Sequence, residues 1–171
     1  MNLQDAIALI QQDIPPQATL WTDLGCGSGL FTRALATMLA KGSTIYAIDT
    51  QPSLHAETTS GGVAIQPMTL DFVKDPLPLP ALNGVLMANA LHYVKDKPAF
   101  LRKLQAGLQP GAVFLIVEYD TDTPVPTWVP YPLSFTSLKK LFATAGYQQV
   151  KPLGRRPSVY GRAEIYAAWI S

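Results

Sequence analysis

Hydrophobic and polar positions along this chain switch repeatedly between a helical and a strand period. Leu3, Ile7, Ile10 and Ile14 recur at helical spacing over residues 3–13, and Pro15-Pro16 stops that run. A strand is predicted near 19–24, then a helix near 28–40 closed by Lys41-Gly42. A second strand covers 44–49, and a short polar helix is expected to begin near Pro52. Val63-Ala64-Ile65-Gln66 forms a third strand that reaches Leu70-Asp71-Phe72 at its far side. Val85-Leu86-Met87-Ala88 is apolar without a break, as a central strand buried on both faces requires. A helix over 97–107 precedes a fifth strand at 112–117, introduced by Pro110-Gly111, and another helix spans 136–145 before Gly146. Strands near 147–153 and 163–170 then close the chain as an antiparallel hairpin around 154–161. The expectation is an α/β fold with a doubly wound sheet of seven strands, mostly parallel, in three α/β/α layers.

Composition narrows the class. The 171 residues suit one domain over 1–171, with an N-terminal helix inside 1–16. With 48% hydrophobic and 15% charged residues the chain can build a core. A net charge of +1 gives no case for nucleic acid or an anionic membrane as partner. The single cysteine excludes an intrachain disulfide and a cysteine-rich metal site, and fits a reducing compartment. No signal peptide is seen, and no run approaches the roughly 18 apolar residues of a membrane span. A soluble cytoplasmic protein is expected.

Chemistry concentrates at Asp23-Leu24-Gly25-Cys26-Gly27-Ser28-Gly29, between the first strand and the amphipathic run Leu30–Ala36. A strand, a glycine turn and a helix bring backbone close to a nucleotide-like ligand, and Cβ atoms would block that approach. Asp49 ends the next apolar run, about 20 residues on, where an acid accepts hydrogen bonds from a ribose. An adenosine-bearing ligand follows. The spacing is G-x-G-x-G, with Leu30 where the dinucleotide fingerprint has its third glycine. Asp23 would repel a pyrophosphate and attract an ammonium group.

This segment closely resembles the first motif of class I S-adenosylmethionine-dependent methyltransferases, and the resemblance runs from about Thr19 to the C-terminus. It implies a Rossmann-like fold whose parallel strands end in a hairpin. It also implies S-adenosylmethionine as methyl donor, S-adenosylhomocysteine as product, and no metal. By that resemblance Asp49, with Thr50 beside it, holds the ribose hydroxyls. Asp71 meets the adenine amino group and Phe72 the ring. Asp23, Gly25, Cys26 and Gly27 surround the methionine portion, and Asn89 lines the cleft near the sulfonium. The implied reaction is in-line methyl transfer to an oxygen or nitrogen atom of a small molecule.

Most of these residues also have a plain structural reading. The glycines can form an ordinary turn, Asp49 can cap a helix, and Asp71 can be a solvated loop acid. Cys26 is read as packing between glycines. His92, just past the fourth strand, can take a proton from an acceptor or can simply satisfy a backbone carbonyl. Substrate contacts are expected from His92, Tyr93 and the proline-rich segment 118–133, where Tyr119, Trp128 and Tyr131 can form an aromatic wall or cover core. Arg155, with Arg156 and Arg162, can clamp an anion or solvate a turn. The Asn/Asp-Pro-Pro-aromatic signature of amino-methylating enzymes is absent, since strand four leads into Asn89-Ala90-Leu91-His92. The alternative function is a non-catalytic domain of this fold that holds an adenosyl ligand or a protein partner. A nicotinamide oxidoreductase is disfavoured by Asp23, Leu30 and the hairpin. Monomer and homodimer both stay open.

Overall fold

The computed structural model describes residues 1–158 and 163–171. In chain order the elements are α1 (Leu3–Ile10), β1 (Leu20–Leu24), α2 (Leu30–Ala36), β2 (Thr44–Asp49), β3 (Glu57–Thr58) and β4 (Ala64–Thr69). They continue with β5 (Leu82–Ala88), a single 3-10 turn (Leu91–Tyr93), α3 (Lys97–Gln105), β6 (Leu108–Tyr119), α4 (Phe135–Thr144), β7 (Val150–Pro157) and β8 (Glu164–Ile170). One sheet holds all eight strands in the order β3-β4-β2-β1-β5-β6-β8-β7. Neighbours from β4 through β6 are parallel, while β3/β4, β6/β8 and β8/β7 are antiparallel.

Alternation along the strands divides the core between two faces. Ile45, Ala47, Leu115 and Val117 pack toward α1 and α2, against Leu9, Ile10, Ala34 and Leu35. Ile48, Val85, Phe114 and Ile116 pack the other way, against Phe100 and Leu104 of α3 and Leu138 and Phe142 of α4. Three layers result, and burial of this apolar surface is the main force holding them. Gly84 is needed in β5 because a Cβ there would meet the Trp21 ring at 2.5 Å.

The sheet has eight strands rather than seven, and the helix expected near Pro52 does not form. Instead, Ser53 N–H donates to Gly27 O (3.0 Å) and buried Leu54 fills the space beneath Gly29, where a Cβ would meet it at 2.2 Å. The segment is thus drawn under the glycine turn. Beyond it Glu57 pairs with Arg33 (3.1 Å) and starts the two-residue β3. Helix α2 stops at Ala36, where Thr37 caps it through Oγ1 to Ala34 O (2.7 Å). β6 begins before Pro110-Gly111, not after, because Leu108 already pairs with Leu82.

The order in which strands are added reverses at β1: successive parallel strands run outward through β2 and β4, then restart on the opposite side with β5. The connections that leave the carboxyl ends of the paired strands β1 and β5 therefore run to opposite sides and open a crevice, the place where open α/β sheets bind ligands.

Candidate functional site

Two adjoining clefts open at that crevice. The first, about 410 Å³, is lined by Gly25 after β1, Asp49 and Thr50 after β2, Asp71, Phe72, Val73 and Lys74 after β4, and Asn89, Ala90 and Tyr93 after β5. The second, about 350 Å³, is lined by Asn89, His92, Tyr93, Tyr119, Thr127, Trp128 and Val129. Asn89 and Tyr93 line both, so one ligand in each would meet there. Both volumes fall in the range of small-molecule sites.

The glycine turn forms the wall of the first cleft. Gly25 has φ +83°, and a Cβ on it would meet Ala90 Cβ at 2.6 Å. Its N–H and that of Cys26 donate to Ile48 O, which pins the turn across the tips of β1 and β2. Asp49 Oδ2 accepts from Gly27 N–H (2.9 Å) and Oδ1 from Gln51 N–H (3.0 Å). Those two bonds fix the carboxylate while leaving lone pairs for a ligand's hydroxyls. The fit to an adenosyl ligand is good: a backbone cradle that a Cβ would close, an acid at the rim, and the Phe72 ring beside Gly25, 3.5 Å from where its Cβ would stand.

Asp23 and Cys26 do not line the cleft; they support it from behind. Asp23 is 1% exposed, takes a 2.6 Å hydrogen bond from Thr32 Oγ1 on Oδ2, and leaves Oδ1 without a partner. Burial pushes its carboxyl up to about 7, against the Thr32 bond, and the Asp49 charge adds to the rise. An unmet buried oxygen behind the glycine turn suits a cationic ligand group. The Cys26 thiol is pushed up to about 12, by burial and then by Asp23 and Asp49, so it stays protonated and inert. Asp71 lines the cleft but is largely used up by its own turn. Oδ1 accepts from Val73 and Lys74 N–H (3.1 and 3.3 Å), and Oδ2 pairs with Lys74 Nζ (2.8 Å). The Lys74 hydrogen bond, with the backbone bonds, holds that carboxyl below its ordinary range.

Asn89 follows β5 in the left-handed region, with φ 53°, fixed by N–H donation to Val117 O (2.8 Å). Its Oδ1 is buried and without a hydrogen bond. Three residues on, the 3-10 turn presents His92. Nδ1 lies 2.7 Å from Glu118 Oε2, and His92 N–H donates to Glu118 Oε1 (3.1 Å). Tyr93 and Tyr119 flank the imidazole, with ring centroids 4.4 and 6.2 Å away.

A lysine ties this turn to the loop after β6. Lys97 Nζ donates to Val94 O (2.9 Å) and Tyr131 O (2.6 Å), while Tyr131 N–H donates to His92 O (3.0 Å). Burial pulls the Lys97 ammonium below its ordinary range, opposed by the negative charge of Glu118. Trp128 rides on a tight turn closed by the Val125–Val129 bridge, with Thr127 at φ 75°.

Two expected substrate residues stand elsewhere. Tyr131 braces the loop through its backbone and does not line the second cleft. Arg155 is committed to Asp120 and Glu164 and lies over the Phe135 ring, 5.7 Å from its centroid, so it fixes β7 to the segment after β6 rather than facing a cleft. Arg156 pairs with Asp5 of α1 (2.6 Å), and Arg162 lies outside the described residues. Sequence reasoning gave no role to Lys97 or Lys74, and placed Glu118, Thr127 and Val129 in the substrate segment 118–133 without a role of their own. Glu118 carried a signal, since an acid ending the run Phe114–Val117 must be buried and therefore paired. Among the described residues no His/Cys/Asp/Glu group could hold a metal ion, and no helix is long and apolar enough to cross a membrane.

The family model described as "Methyltransferase domain" matches residues 22–114. A ubiquinone biosynthesis O-methyltransferase of Methylobacterium nodulans is 27% identical over 110 residues, which is 61% of this chain and 42% of that protein. The chain thus spans less than half the length of that curated relative. A SAM-dependent methyltransferase of Leishmania major superposes with a TM-score of 0.70 at 16% identity, over 96% of this chain and 70% of that one. A SAM-dependent methyltransferase from Aquifex aeolicus gives 0.65 at 19% identity, over 98% and 90%. Both share the fold.

Proposed function

The chain belongs to the methyltransferase-domain family, of the class I S-adenosylmethionine-dependent type, and from that premise we propose that it methylates an oxygen or nitrogen atom of a small molecule. The observation that carries this reading is the pair of clefts joined at Asn89 and Tyr93, one cradled by the glycine turn and Asp49, the other floored by His92. Residues 1–171 act as a single domain in this reading.

S-Adenosylmethionine, when bound, supplies an activated methyl group on its sulfonium. Asp49 takes the ribose hydroxyls, with Thr50 at its side. Phe72 faces the adenine ring and Asp71 its amino edge, as far as the Lys74 pair leaves that carboxylate free. Gly25 and Gly27 admit the methionine portion, with Asp23 behind them drawing its ammonium group and Cys26 filling the turn.

The chain's remaining task is alignment and one proton. Holding the acceptor in line with the methyl group supplies much of the rate. Glu118 accepts Nδ1–H of His92, so the lone pair on Nε2 is left to act as general base. Tyr93, Tyr119 and Trp128 hold the acceptor against that base.

Production of S-adenosylhomocysteine by the purified protein, measured with a panel of hydroxyl and amine acceptors, tests the proposal. Turnover abolished by His92→Gln supports it. Tight cofactor binding with no transfer to any acceptor would favour the non-catalytic alternative.

A further inference from the structure

Two carboxylates are buried among the described residues, and they are compensated differently. Glu118 meets both the ring and the backbone N–H of His92. Asp23 receives only the Thr32 hydroxyl on Oδ2, and its Oδ1 has no hydrogen bond. From β2 the Asp49 carboxylate faces it, from the glycine turn the Cys26 thiol, and from α2 the Thr32 hydroxyl. Across the sheet it stands opposite Ala47 of β2 and Leu86 of β5, both apolar. No lysine, arginine or histidine of the described residues pairs with it.

A carboxyl group placed so is more stable neutral. Ionised, it gives up its water without gaining a counter-charge and stands beside a second negative charge. In the ligand-free protein it therefore keeps its proton well above the ordinary carboxylate range, in keeping with a value pushed up to about 7. Asp23 lies behind the glycine turn that walls the first cleft. S-Adenosylmethionine enters that cleft with an ammonium and a sulfonium against a single carboxylate. Positive charge brought close reverses the preference: it favours the ionised Asp23, which attracts it in turn.

Resting on the methyl-transfer reading above, we propose that loading of the methyl donor is proton-coupled: as the ligand enters, Asp23 releases its proton to water, and mild acid empties the cleft. The step balances. The Asp23 O–H bond breaks, its electron pair stays on the carboxylate facing the ligand's positive charge, and the proton goes to solvent.

The sign follows from that exchange. Below about 7 the proton has to be displaced before the ligand is held, so apparent affinity falls toward tenfold per pH unit. Above it there is no proton to displace and the curve flattens. Stability of the ligand-free fold runs the other way, because protonated Asp23 favours it. Mild acid therefore unloads the site without weakening the fold through this group.

The test is calorimetric titration of S-adenosylhomocysteine at pH 6.5 in phosphate and in ACES, two buffers of different ionisation enthalpy, which counts the protons released. Wild type is expected to release most of one proton and Asp23→Asn none. From pH 5.5 to 7 the ligand's own amino group stays mostly charged. Over that range wild-type affinity is expected to rise about tenfold and that of Asp23→Asn to stay flat. Thr32→Val keeps Asp23 but removes the bond that favours its charged form, so the rise should move to higher pH. That variant and the wild-type proton count serve where Asp23→Asn binds too weakly to measure. Binding without proton release, equal release in Asp23→Asn, or an unmoved rise in Thr32→Val overturns the coupling alone. If neither S-adenosylhomocysteine nor S-adenosylmethionine binds the folded wild type, the methyltransferase reading falls and this one with it.

Discussion

His92 Nδ1 and Glu118 Oε2 stand 2.7 Å apart, with the two side chains only 2% and 1% exposed. The pair joins the turn after β5 to the end of β6, and Glu118 accepts a second bond from the His92 backbone. A carboxylate held this firmly fixes both the tautomer and the direction of the ring. The arrangement costs stability unless both partners are present, because a lone buried carboxylate is left without compensation.

His92→Gln is therefore expected to lower kcat for the acceptor about 10²–10⁴-fold, the usual worth of a general base. Binding of S-adenosylhomocysteine is expected to stay within twofold of wild type. Glu118→Gln should lower kcat less, because the imidazolium loses its anionic partner while the ring itself remains. Steady-state kinetics across pH 5–9 on both variants would check this; equal kcat in wild type and His92→Gln would contradict it.

Lys97 offers a separate handle on the acceptor loop. Its ammonium joins Val94 O to Tyr131 O, and hydrogen bonds from a charged group contribute about 1.5–3 kcal/mol. Lys97→Met is expected to lower unfolding stability by roughly that amount. It should also raise the acceptor KM several-fold and leave cofactor affinity alone. Lys97→Arg should recover part of the KM effect. Urea melts and kinetics separate the two effects, and unaltered KM would assign Lys97 to stability only.

Much of this arrangement was legible beforehand, and the reasons differ by residue. The glycine turn and Asp49 are local: a strand, three glycines and an acid at the next strand tip follow from spacing. The parallel core and closing hairpin follow from unbroken apolar runs such as Val85–Ala88. The segment after Asp49 was misread because its polar, proline-led sequence suits a helix start, whereas tertiary packing of Leu54 under Gly29 decides it. His92 and Glu118 lie 26 residues apart, and only the β5/β6 pairing brings them together. Arg155 was left open between a clamp and a solvated turn, and its partner Asp120 lies far off in sequence. Three nearby arginines suggest a clamp, but Arg155 pairs with Asp120, just after β6, and with Glu164 of β8.

Asp23 sets an expected pH dependence. Its carboxyl is raised to about 7 in the folded protein, above an ordinary value of 3.8, so the folded state binds that proton more tightly than the unfolded one. Unfolding free energy of the ligand-free protein should then fall as pH rises from about 3.8 to about 7, and flatten above. Asp5, Asp71 and Asp122 are lowered, so their contribution is present above 3.8 and is lost only at more acidic pH. Thermal melts from pH 5 to 8 should show the fall in wild type and its absence in Asp23→Asn. The same slope in both proteins would contradict the assignment.

Gly25→Ala probes the cradle itself. Its Cβ would meet Ala90 Cβ at 2.6 Å, on a backbone at φ +83°. The substitution is expected to cost about 1–3 kcal/mol of stability through strain and to abolish cofactor binding. Gly27→Ala meets nothing within 4 Å, so it should fold better than Gly25→Ala. Chemical denaturation of the pair would rank them, and equal losses would remove the steric argument.

The most direct test of the central claim is calorimetric titration of S-adenosylmethionine and S-adenosylhomocysteine into the wild-type protein and Asp49→Ala, with NADH as control. The cleft described here requires micromolar binding of both adenosyl ligands, loss of at least tenfold in Asp49→Ala, and none of NADH. Folded wild-type protein that binds neither adenosyl ligand, or binds them equally well without Asp49, would contradict it.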